Sequence, residues 1–312
     1  MAKVSVLVAG IGGVGGYFGG LLASRFQDGR EVHVNFLARG EHLKEIIQSG
    51  LKVVQGGMEL TAIPQMASDN PSQIGPVDYI LLCTKSYDLE ETVKQLEPCI
   101  HSKTVILPLL NGVNARQRTQ KLVPKNLICE GCVYIISRLS RPGVVENLGN
   151  IQKLFFGVPN ENDQRLEQLR LLFQQANIEA TLTSDILKII WEKFIFISAM
   201  ATATSYFDEG LGPILSDPKK RDVLSSLISE ISVVVRNKGI FVANTAKDDI
   251  LHKLESLPAE ATSSLHSDIQ KKKKQTEVYS LVHYVVEEGK KLQLSVPVYS
   301  KISAELSSRM AL

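Results

Sequence analysis

Short apolar runs recur through the first half of the chain at Val4–Ala9, Val32–Leu37, Tyr79–Cys83 and Thr104–Leu109, separated by helical or polar stretches. Runs of this length between turn signals predict strands, and strands alternating with helices predict a parallel sheet covered by helices. Pro142-Gly143 lies between Val133–Ser137 and Val144–Glu146, and Ile151–Val158 follows, so this stretch predicts a hairpin added at the sheet edge. Helix Arg165–Ala176 and strand Glu179–Leu182 close the domain. After Ser184-Asp185, a pair suited to capping a helix, strand signals nearly vanish. Helices are predicted over Ile186–Ala203, Lys219–Lys238, Ala246–Leu254 and Glu277–Lys291. In the last of these, Val278, Leu281, Val282 and Val285 keep the i, i+3, i+4, i+7 spacing of a buried stripe.

The first run leads directly into Gly10-Ile11-Gly12-Gly13-Val14-Gly15, and a helical run, Tyr17 to Phe26, comes next. A glycine pattern alone is weak in a chain with 22 glycines. Strand, glycine turn and helix in succession make it a dinucleotide site. Gly10 permits the tight turn, Gly12 leaves room for a pyrophosphate against backbone, and Gly15 lets helix and strand pack closely. The phosphates would sit on unpaired N–H groups at the helix N-terminus. The fold class is therefore α/β: an N-terminal Rossmann-type dinucleotide-binding domain over 1–184 and a C-terminal all-helical domain over 185–312, to which the resemblance given below assigns substrate and catalysis.

The second strand should end beside the adenosine ribose, where the chain reads Phe36-Leu37-Ala38-Arg39-Gly40. An acid here would bind a ribose 2′-OH, whereas a guanidinium offers paired planar donors to a 2′-phosphate. Arg39 favours NADP (NADPH); the neighbouring Glu41 keeps NAD in play.

Composition narrows the partners. The 312 residues are 44% hydrophobic and 22% charged with a formal net charge of +2, which gives no general pull toward nucleic acid or membrane and suits a small metabolite. No run of about 18 consecutive apolar residues occurs. Met1-Ala2-Lys3 leads into the first strand without a signal-peptide pattern, and four scattered cysteines suit a reducing compartment, so a cytoplasmic location is expected. Cys129 and Cys132 match C-x-x-C but fall in a strand-like run, and the six histidines show no ligand spacing, so no metal site is expected. Lys271 to Lys274 reads as a solvated turn or helix surface, or as a patch that steers an anionic cofactor. The oligomeric state is open, with a homodimer the form considered.

Lys193 is the least expected residue of the second half. On its helix it shares a stripe with Ile186, Ile189, Ile190 and Ile197. An ammonium there must be paired, solvated through a cleft or shifted in pKa; alternatively its stem packs while the head reaches water.

Taken in order, Gly10-Ile-Gly12-Gly-Val-Gly15, Leu37-Ala-Arg39-Gly, Cys83-Thr-Lys85, Leu110-Asn111-Gly112, Trp191-Glu-Lys193 and Ser264-Leu-His-Ser-Asp268 with Thr276-Glu277 resemble the ketopantoate reductase (2-dehydropantoate 2-reductase) family across nearly the whole chain. The resemblance implies NADPH-dependent reduction of a 2-keto acid in pantothenate synthesis. It implies that Lys193 is the general acid and that Glu277 orients substrate and lysine. Asn111 and Ser264 would hydrogen-bond substrate or lysine, and Lys85 and Asn111 would line the cofactor side. The chain departs from that pattern where members carry asparagines, having Ile197, Ala201 and, without gaps, Leu211, and its interval from Asp268 to Glu277 is one residue longer. Ser198, Thr202 or Thr204 would have to supply the missing hydrogen bonds, and Ser198 is the substrate contact expected among them. The alternatives are a reductase of a less polar 2-keto acid and a non-catalytic NADP-binding regulator.

Overall fold

The computed structural model describes residues 3–310. Met1 and Ala2, on which the leader expectation rests, lie outside the described residues. The chain divides into two compact units. One runs to Leu110 and resumes over Asn114–Ile186; the other comprises Asn111–Val113 and the chain from Leu187 onward.

The described strands of the first unit are β1 (Val4–Ala9), β2 (Val32–Leu37), β3 (Leu51–Gln55), β4 (Met58–Ala62), β5 (Met66–Ser68), β6 (Tyr79–Leu82), β7 (Val105–Pro108), β8 (Leu127–Ile128), β9 (Glu130–Arg141), β10 (Val144–Gly157) and β11 (Glu179–Leu182). Its helices are α1 (Gly13–Arg25), α2 (Gly40–Ser49), α3 (Pro71–Ile74), α4 (Leu89–Gln95), α5 (Ala115–Leu122) and α6 (Gln164–Gln175). A parallel sheet takes the order β5-β2-β1-β6-β7-β8. All four residues of β6 and of β7 are buried, as expected of strands covered on both faces. The register sets Ala9 level with Leu37 and with Leu82. The segments that follow β1, β2 and β6 therefore leave the sheet at one end, and the strand order reverses between β1 and β6, where doubly wound sheets bind ligands.

The hairpin does form around Pro142-Gly143, but not at the edge of this sheet. It belongs to a second sheet ordered β11-β10-β3-β4, with β9 paired to β10. The reason lies in α1, a helix buried nearly all round. One side of it rests on β1 and β2, where a Cβ at Gly19 would meet Val8 and Phe36. The other side rests on the second sheet, where a Cβ at Gly16 or Gly20 would come within 2.5 Å of Val145 or Val53. The hairpin buries Val145 and Leu154 in that layer, and β11 joins β10 there.

The second unit is helical among the described residues: α7 (Ile186–Phe207), α8 (Leu211–Ser216), α9 (Pro218–Asn237), α10 (Ala246–Glu255), α11 (Ser264–Gln270), α12 (Tyr284–Lys291) and α13 (Pro297–Met310). Its core gathers Phe194, Leu224, Ile228, Val282 and Leu306, with Trp191 and Tyr284 each stacked edgewise or tilted against Phe194 and one another. The expected continuous helix Glu277–Lys291 is interrupted. Glu277 sits in a turn, Tyr279–His283 is a π-helical segment, and the α-helix proper begins at Tyr284. The apolar stripe survives, with Val278, Leu281, Val282 and Val285 all buried. The Ser280 hydroxyl donates to the Glu277 carbonyl at 3.1 Å, a local side-chain bond that competes with the regular ladder.

Candidate active site

The first unit holds a glycine turn of the kind suited to a dinucleotide. Gly10 has φ +94°, a conformation costly for any residue with a side chain. A Cβ on Gly15 would lie 2.0 Å from the Gly10 carbonyl oxygen, so the turn closes only around glycine. A Cβ on Gly12 meets nothing within 4 Å, and Gly12 caps α1 with no side-chain hydrogen bond. Open space therefore stands over a helix start whose first N–H groups have no partner within the helix. This cradle suits a pyrophosphate, and Gly13 and Val14 open the helix that frames it. Beneath the turn lies Cys83, whose thiol burial pushes up to about 12, making it an apolar wall.

Sequence reasoning missed His42. Its Nδ1 accepts the Gly143 N–H at 2.9 Å, which leaves Nε2 as the donor to the Ile11 carbonyl at 2.7 Å. Burial lowers its pKa, opposed by the bond to Ile11, and favours the neutral ring that this pairing needs. The ring thus ties the glycine turn to α2 and to the hairpin turn. These contacts span 31 and 101 residues, so no local pattern announces them.

Arg39 is the N-cap residue of α2, and its Nη2 donates to the Gln95 side-chain oxygen at 2.6 Å. Glu41 turns to Lys44 at 2.7 Å in an exposed ion pair. Lys85 is half-buried three residues beyond β6, at the end of the sheet that carries the glycine turn.

The second unit holds a different set. Lys193, half-buried on α7, donates from Nζ to the Asn111 side-chain oxygen at 3.2 Å. Asn111 comes from the three-residue segment that leaves the first unit after β7; beside it, Val113 packs on the helical core and Gly112 faces Ser280 of the π segment. Glu277 is 2% exposed at the start of that segment. Ser264 is exposed at the first position of α11, while its neighbour Ser263 caps the helix by accepting the His266 N–H.

Ser198 lies in the core of the second unit. It is wholly buried, its hydroxyl donating to the Leu281 carbonyl at 2.6 Å and meeting the Tyr299 hydroxyl at 2.7 Å. Thr202 and Thr204 are equally buried, and Thr204 donates back to the Met200 carbonyl at 2.8 Å. Ala201 and Leu211 lie in the same core, whereas Ile197, one turn after Lys193, is half-buried. Lys271 to Lys274 form an exposed turn, with Lys273 2.6 Å from Asp268.

Residues 6–161 match the family model described as Ketopantoate reductase PanE/ApbA, and residues 185–309 match Ketopantoate reductase PanE/ApbA C terminal. The chain belongs to the ketopantoate reductase family. It is an oxidoreductase of the 2-dehydropantoate 2-reductase type. A 2-dehydropantoate 2-reductase from Porphyromonas gingivalis is 34% identical, with a TM-score of 0.85 over 98% of this chain and 100% of that one. The uncharacterized oxidoreductase YkpB of Bacillus subtilis is 29% identical over 96% of this chain and 97% of its own. A 2-dehydropantoate 2-reductase of Halobacterium salinarum is 28% identical over 94% of each chain.

Outside the site, Cys129 and Cys132 are buried and in no disulfide, and burial pushes the Cys129 thiol well above the usual range, so no thiolate forms there at neutral pH. Among the described residues no group of three or more His, Cys, Asp or Glu is placed to hold a metal ion, and no helix is long and apolar enough to cross a membrane.

Proposed function

We propose that this ketopantoate reductase family member reduces 2-dehydropantoate to pantoate with NADPH, a step of pantothenate biosynthesis, with Lys193 as general acid. The observation that supports this reading is the Lys193–Asn111 hydrogen bond, which joins the expected proton donor to the amide expected to meet the substrate, across 82 residues of sequence. NADPH, when bound, would supply the hydride. Its pyrophosphate would rest on the start of α1 over Gly12, Gly13 and Val14, its 2′-phosphate on Arg39, and Lys85 would line the same side.

Addition of hydride to a ketone builds negative charge on oxygen. The Lys193 ammonium stabilises that charge and then gives up a proton to it, so the product leaves as the alcohol and the lysine is reprotonated from solvent. Asn111 restricts where Nζ points, because its oxygen accepts one of the ammonium N–H bonds. Glu277, buried in the same unit, would orient substrate and lysine, as the family resemblance implies. Ser264, exposed on α11, would meet the polar end of the substrate.

A second reading has a specific observation behind it. Ile197 stays half-buried on the stripe of Lys193, while Ser198, Thr202 and Thr204 turn their hydroxyls into the core. A surface with fewer amide donors suits a 2-keto acid with a less polar side chain. Lys193→Ala separates chemistry from packing. It should lower kcat by about 10²–10⁴ with either substrate if the ammonium is the acid, and near-normal turnover would return Lys193 to a packing role.

A further inference from the structure

We infer that Gln95 is a positioning residue that sets the preference for NADPH over NADH by holding the Arg39 guanidinium ready for a 2′-phosphate. This rests on the NADPH reading above.

Arg39 and Gln95 line one cleft of about 470 Å³ together with Asp69, Asn70, Pro71 and Ser72. Arg39 stands on an exposed surface, where a long side chain samples many rotamers and binding must offset the loss of that freedom. The bond from Nη2 to the Gln95 oxygen fixes the fork in advance. The Gln95 amide has a fixed sense of its own. Its Nε2 donates to the Glu91 carboxylate at 2.9 Å, so its oxygen is the end turned to the guanidinium. A carboxylate on one side and a guanidinium on the other allow only this orientation.

The neutrality of Gln95 matters as much as its reach. Three carboxylates bear on this cleft or on the two residues that share it. Asp69 lines the cleft, Asp88 interacts with Arg39 through space, and Glu91 stands behind the glutamine. A guanidinium released among them would pair with one, and such a pair competes directly with a phosphate for the same planar donors. Gln95 intervenes between Arg39 and Glu91 without itself cancelling the charge. An acid at the same position would cancel it.

The test is the dissociation constant of NADPH, NADH, adenosine 2′-phosphate and adenosine 5′-phosphate by calorimetry, for wild type, Gln95→Ala, Gln95→Glu and Arg39→Ala, with melting temperatures alongside. Gln95→Ala should weaken NADPH and adenosine 2′-phosphate by about threefold to tenfold, and Gln95→Glu by about 10- to 100-fold, leaving NADH and adenosine 5′-phosphate within about twofold. A loss shared equally by the 2′-phosphorylated and unphosphorylated ligands would mean that Gln95 supports only local structure, and would overturn the inference. If Arg39→Ala selectively loses NADPH while both Gln95 variants keep the wild-type ratio, the inference fails and the cofactor reading stands. If wild type binds both dinucleotides equally, or Arg39→Ala weakens both equally, the cofactor reading fails and the inference falls with it.

Discussion

Burial pushes the Glu130 carboxyl up to about 7, with the Arg116 guanidinium opposing the shift. The folded acid keeps its proton at a pH where the unfolded one, near 4.5, has released it. Between those values the unfolded chain binds fewer protons, so this residue costs stability as pH rises through the window and costs no more above it. Glu130→Gln, which mimics the protonated form, should leave Tm unchanged near pH 4 and raise it at pH 8, at about 2–4 °C per kcal/mol of relief. An equal change at both pH values in calorimetric melts would contradict the raised pKa. Residues differ in how openly sequence declares them. Lys193 stood out because a charge interrupted an isoleucine stripe, and Arg39 because it followed a strand that follows a glycine turn. Ser198 is less openly declared, since a serine beside that stripe reads equally as a substrate contact or a buried donor. Its partners in the core, Leu281 and Tyr299, lie 83 and 101 residues away, so no local pattern shows them.

At the scale of elements, α1 connects fold and site. Its N-terminus carries the glycine turn, and its glycines let two sheets approach from opposite sides. Two alanine substitutions should separate these tasks. Gly12→Ala projects a methyl into open space, so Tm should stay within about 2 °C of wild type while dinucleotide affinity falls at least about tenfold. Gly15→Ala drives a methyl to 2.0 Å from the Gly10 carbonyl and should lower Tm together with affinity. A Gly12→Ala protein that binds normally would remove the cradle assignment. Alternating apolar runs made the parallel sheet legible, because strands covered on both faces are continuous in sequence. The second sheet was hidden. β3 and β4 are short, with exposed Met58 and Glu59 breaking the pattern, and nothing local says that β10 pairs with β3 some ninety residues earlier. The π segment was hidden for a related reason, as Val278, Leu281, Val282 and Val285 serve a regular helix equally well.

For the whole molecule, the proposed function assigns part of the chemistry to each compact unit. The first holds the glycine turn, Arg39 and Lys85; the second holds Lys193, Glu277 and Asn111, the last supplied by a three-residue segment that follows β7 in sequence. The central claim is that these groups together reduce a 2-keto acid. Its most direct test is the initial rate of NADPH oxidation by the purified full-length protein, measured with 2-dehydropantoate and with a panel of 2-keto acids of decreasing side-chain polarity. Saturable turnover with 2-dehydropantoate as the best substrate is the expected result. A maximum elsewhere in the panel would transfer the assignment to a less polar keto acid. No oxidation with any 2-keto acid would contradict the account.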